Sequence, residues 1–191
     1  MRWVVFAIFA YLTLVLDTSL LDVLAGKELQ IKPSACGLLA AFICLSAPRM
    51  AAMWACLTLG LLLDLSDPIS LGEADKLHLI GPRTLGYVCG GYLVLQLRTI
   101  VFRQRALTIG TMTFICLLAV HLVAVAVYVI RSWYPGGDLS WAQTTTLGEL
   151  LRRFLMALYS GLLAIPFGWL LVRSMPLWGF QTLSHRSGAL R

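Results

Sequence analysis

The sequence predicts an all-α polytopic membrane protein with about six transmembrane helices. Three observations predict it. Of 191 residues, 59% are apolar and only 13% are charged, where a soluble domain carries about a quarter. Mean hydropathy is +0.84. The apolar residues also fall into runs separated by short polar turns, and a span needs about 20 residues, so six spans consume most of the chain. A single integral membrane domain over 1–191 follows. An ordinary cytosolic globule, a disordered chain and a secreted disulfide scaffold are excluded.

The first span is expected at 3–24. Arg2 followed by an apolar run and Val23-Leu24-Ala25 imitates a cleavable signal, but the run resumes past Asp17 and is long enough to cross, so it reads as a retained helix. Lys27, Glu28 and Lys32 mark a polar turn, and Pro33 suits the first turn of the next helix. Spans two and three are expected at 34–47 and 50–65, separated by Pro48-Arg49. Each is short for a core of about 30 Å, so this hairpin has to tilt little, thin the bilayer, extend into its polar flanks or re-enter.

The stretch 64–79 is the most polar of the chain and reads as a loop carrying Asp64, Asp67, Gly72, Glu73, Asp75, Lys76 and His78. Span four is expected at 82–102, with Arg98, Arg103 and Arg105 clustered at its far end, and span five at 107–130. An interfacial cluster with Trp133, Tyr134, Pro135, Gly136, Gly137 and Trp141 follows. Thr146 and Glu149 are spaced as a capping box, which starts span six near Leu147 and carries it over 147–172, with Pro166 as an expected kink. A short tail with Arg173, His185, Arg186 and Arg191 closes the chain.

The net charge of +6 does not point to nucleic acid, because the cations flank apolar runs and form no stripe interleaved with aromatics. Basic residues divide almost evenly between the two sides. The Arg98–Arg105 connection is the clearer local signal, and it places both termini in the cytoplasm. The five cysteines lie in apolar segments without a CxxC pair and read as small hydrophobes rather than disulfides or metal ligands.

Few residues are placed to do chemistry. Asp64 ends the run Gly60-Leu61-Leu62-Leu63-Asp64, and Ala52, Cys56, Gly60 and Asp64 recur every fourth residue. That makes a narrow helix face finishing in a carboxylate. An acid at a helix C-terminus meets the negative end of the macrodipole, so it needs a cation or hydrogen bonds, with Arg83, Arg152 and Arg153 as candidates. It reads equally as an interfacial acid reaching water. Gly86, Gly90 and Gly91 form a small-residue face on span four, and Ala157/Gly161 and Ala164/Gly168 notch span six. Such faces serve internal helix contact or seat a partner's helix. His121 lies mid-span, as an interhelical hydrogen-bonding group or a functional intramembrane site. Arg152 and Arg153 either snorkel to the interface or pair with loop acids.

The acids of 64–79 offer magnesium no phosphate cradle, and no nucleotide-binding, metalloprotease or serine-hydrolase motif occurs. No catalytic residue, metal or cofactor is assigned, and the chain is not read as an enzyme.

Several of these features together resemble the MreD family of bacterial rod-shape membrane proteins. They are Pro33 before span two, Pro48-Arg49 in the tight turn, Gly60-Leu61-Leu62-Leu63-Asp64-Leu65, Pro68-Ile69-Ser70-Leu71-Gly72 and Leu85-Gly86-Tyr87. The resemblance covers about 33–98. It departs from the family where Glu73-Ala74-Asp75-Lys76 and Pro82-Arg83 lengthen and charge the outer loop. It implies a six-helix fold similar to the substrate-binding subunits of energy-coupling-factor transporters. It also implies a non-catalytic role in the cell inner membrane. There the chain binds an MreC-like protein and, through it, the peptidoglycan synthase RodA and its penicillin-binding protein, with MreB reached indirectly. Gly60, Asp64, Gly72, Gly86 and Gly90 are the candidate partner-binding or structural residues. The alternative is a membrane-embedded solute-binding subunit of a transporter, motivated by that implied fold and by His121 and Asp64.

Overall fold

A computed structural model describes residues 2–20, 32–66, 69–70, 76–77, 81–100, 106–131, 133 and 146–179. Among the described residues the regular structure is helical apart from one strand pair of two residues each. In order it runs α1 (Trp3–Val15, continued as a π turn over Leu16–Leu20), α2 (Ala35–Ser46), α3 (Arg49–Ser66), β1 (Ile69–Ser70), β2 (Lys76–Leu77), α4 (Pro82–Leu97), α5 (Ala106–Arg131), α6 (Thr146–Arg173) and α7 (Met175–Trp178). Three of these helices, α3, α5 and α6, are long and apolar enough to cross a membrane. Their outer faces expose Trp54, Leu122 and Trp169.

A helix stands at each of the six expected places, with informative differences. Pro33 is not in the first turn of α2; it precedes Ser34, the true N-cap, whose hydroxyl accepts the Gly37 N–H at 3.2 Å. α4 ends at Leu97, short of the expected 102, with Arg98 as its C-cap and the Arg98 guanidinium on carbonyls of Cys44 and Ala47. α3 carries on through Asp64 to Ser66, so the polar stretch opens in helix and holds a short antiparallel pair, Ile69 opposite Leu77. α6 passes through Pro166 as one element. The short α7 was not foreseen. Its Trp178 is fully buried against Phe9 and Phe42, with ring centroids 4.9 and 5.6 Å away.

The centre of the fold is α2. Every residue from Cys36 to Leu45 is buried, and the helix touches α1, α3, α4, α5 and α6. At 1.5 Å per residue it is about 18 Å long, too short to cross a core of about 30 Å. It has no need to cross alone, because other helices rather than lipid surround it. A helix apolar on every side is what such a position requires.

Small residues set the spacing of α3 through α6. A methyl group on Gly60 would lie 2.6 Å from Cα of Thr84, one on Gly86 2.8 Å from the Val120 carbonyl, and one on Gly90 2.8 Å from the Cys116 carbonyl. Gly110 and Gly161 face each other across α5 and α6, and Gly168 faces Ile109. Read in register, these pairs make α3/α4, α4/α5 and α5/α6 antiparallel neighbours.

Candidate functional site

The polar chemistry of the described residues sits at helix ends. The first four N–H groups and last four C=O groups of a helix lack partners within it. In a bundle interior no water replaces them.

At the start of α4 the N-cap is Gly81, which has no side chain to offer. Asp64 supplies the cap from α3. Its carboxylate accepts the Gly81 N–H at 2.9 Å, the Thr84 N–H at 3.0 Å, the Arg83 N–H at 3.2 Å and the Thr84 hydroxyl at 2.7 Å. Asp64 is 4% exposed. Its negative charge lies on the positive end of the α4 dipole, which answers its awkward place near the end of α3. Of the three arginines considered for it, Arg83 gives Asp64 its backbone N–H, while its guanidinium also donates to the Leu63 carbonyl at 3.3 Å. Arg153 and Arg152 meet Glu149 instead, at 2.9 and 3.6 Å.

The start of α2 is built the same way. Asp17, in the π turn of α1, accepts the Ala35 N–H at 2.6 Å, the Cys36 N–H at 3.1 Å and the Ser34 hydroxyl at 3.3 Å. Ser34 N–H donates to the Ser160 hydroxyl of α6 at 3.0 Å, and the buried Tyr87 of α4 brings its hydroxyl within 3.5 Å of Ser34 Oγ. The other end of α2 is closed by Arg98, which donates to the Ala47 carbonyl at 2.7 Å and the Cys44 carbonyl at 3.2 Å. A buried helix therefore carries an anion at its positive end and a cation at its negative end, both from other helices.

The geometry gives Gly60, Gly86 and Gly90 a structural role: their faces are occupied by α4 and α5 of this same chain. Gly72 lies outside the described residues. Asp64 is brought together with Thr84 and stands one helical turn from Gly60. His121 is elsewhere, on α5 facing α6. The space beside it measures about 40 Å³ and is bounded by Leu118, Val125, Phe154 and Arg153, enough for about one water and not for a vitamin-sized solute. α6 begins at Thr146, and the Glu149 carboxylate turns to Arg152 and Arg153. Cys36, Cys44, Cys56 and Cys116 are buried, Cys89 is exposed, and all five are free thiols. No group of three or more metal-ligating side chains occurs among the described residues.

The sequence pattern does not by itself assign the capping roles of Asp17 and Arg98 or the part played by Ser160. Asp17 had a signal: it interrupts an apolar run, and it precedes the Ser34 cap by the 17 residues that also separate Asp64 from Gly81.

No family model matches the chain, and neither curated proteins nor solved structures give a match.

Proposed function

We propose that this chain is a non-catalytic, MreD-like subunit of the bacterial cell-elongation machinery. In this reading it lies in the inner membrane with six crossings and both termini in the cytoplasm. It binds an MreC-like protein and, with it, RodA and penicillin-binding-protein synthases, and so couples cell shape to peptidoglycan synthesis. One observation carries the reading. Asp64, the carboxylate of the Gly60–Leu65 motif on which the resemblance rests, is spent on the N-terminus of α4, and Gly60 of the same motif packs against the α4 backbone at Thr84. The motif thus has a structural purpose, as a scaffold's motif does.

Crosslinking in native membranes followed by affinity purification tests it. Recovery of an MreC-like protein with peptidoglycan synthases is the expected result. Recovery of ATPase-type transport subunits instead would replace this reading with the solute-binding one.

A further inference from the structure

The groove between α5 and α6 has apolar walls and an arginine at its mouth. Leu122, Leu150 and Phe154 are each at least 41% exposed along its rim. Arg153 lines it and Arg152 stands beside it, with 40% of its side chain exposed. The Glu149 carboxylate bridges the two guanidiniums and holds both in the first two turns of α6, where a cation snorkels to headgroup depth. Arg83 and Arg131 belong to the same end, at the first turn of α4 and the last of α5. Three neighbouring helices, α4, α5 and α6, therefore place arginines at the end of the bundle that also holds Asp64 and Glu149.

We propose that this groove seats an anionic phospholipid of the adjoining leaflet. The phosphate lies on Arg152 and Arg153, whose planar forks match its oxygens, and an acyl segment lies against Leu122, Leu150 and Phe154. The space beside His121 is too small for a vitamin-sized solute, and the occupant is assigned from the two arginines together with the exposed apolar rim. This inference is independent of the cell-elongation reading, since it needs no protein partner.

Native mass spectrometry of the full chain in mild detergent tests it, using phosphatidylglycerol and phosphatidylcholine with identical acyl chains. Retention of phosphatidylglycerol about fivefold above phosphatidylcholine is expected, the scale of one basic side chain at a membrane surface. The preference falls below about twofold in Arg152→Gln and in Arg152→Gln/Arg153→Gln. Arg152→Gln is the safer variant because its residue is the more exposed, and circular dichroism checks that both remain helical. Equal retention of the two lipids, or a preference unchanged in the folded double variant, overturns the proposal. Inorganic phosphate in excess separates the two sources of the anion: the lipid stays bound if the whole amphiphile is recognised, and its displacement overturns the lipid assignment.

Discussion

Asp17 and Asp64 make the same construction twice, yet not with the same reserve. Each is an acid near the end of one helix that accepts backbone N–H groups at the start of the next, 17 to 20 residues on. At α2 the load is shared: Ser34 caps Gly37 itself, and Ser160 takes the Ser34 N–H. At α4 the N-cap is a glycine, so Asp64 serves three N–H groups and a hydroxyl. The comparison teaches that a carboxylate becomes indispensable when the helix it caps brings no capping side chain of its own.

The sharpest way to break the comparison is to remove each acid. Asp64→Ala strands several buried donors at about 1–3 kcal/mol each, so a loss of about 3–5 kcal/mol is expected. Asp17→Ala is expected to cost about half of that, since Ser34 still caps α2. Thermal denaturation in one detergent ranks the two, and equal losses would undo the account of shared load. Next in size, Gly60→Ala pushes a methyl onto the α4 backbone at Thr84 and is expected to cost about 1–3 kcal/mol as overpacking, read in the same assay. Gly81→Ala meets no atom within 4 Å, but Gly81 has φ +137°, which an L side chain resists. It is expected to cost about 1–2 kcal/mol through backbone strain alone. Smallest is Thr84→Val, which keeps the shape and loses only the hydroxyl donated to Asp64, an expected loss of about 1 kcal/mol.

Much of the fold was legible because hydropathy and turn residues mark where helices begin and end. α5 and α6 appear within about a residue of their expected limits. What was not legible has a common physical cause. An all-apolar segment such as α2 reads the same whether lipid or protein surrounds it, so its length looked like a problem of bilayer thickness when it reflects central burial. The caps were hidden because their partners lie on another helix: pattern reading links residues three or four apart, not Asp17 to Ala35 or Arg98 to Ala47. Asp64 was noticed because it terminates a small-residue face, and its need for compensation was clear from the dipole. Hydrogen bonds from the α4 backbone and Thr84, rather than a guanidinium alone, turned out to meet that need. For α7, the four residues Met175–Trp178 carry no periodicity, and Trp178 finds its place only through Phe9 and Phe42.

The claim at the centre is that Asp64 is the cap of α4. Amide hydrogen exchange of the full chain in detergent, comparing the wild type with Asp64→Ala, reads it most directly. The account predicts that Arg83 and Thr84 lose protection while the first turn of α2 keeps its own. Unchanged protection at Arg83 and Thr84 would contradict it.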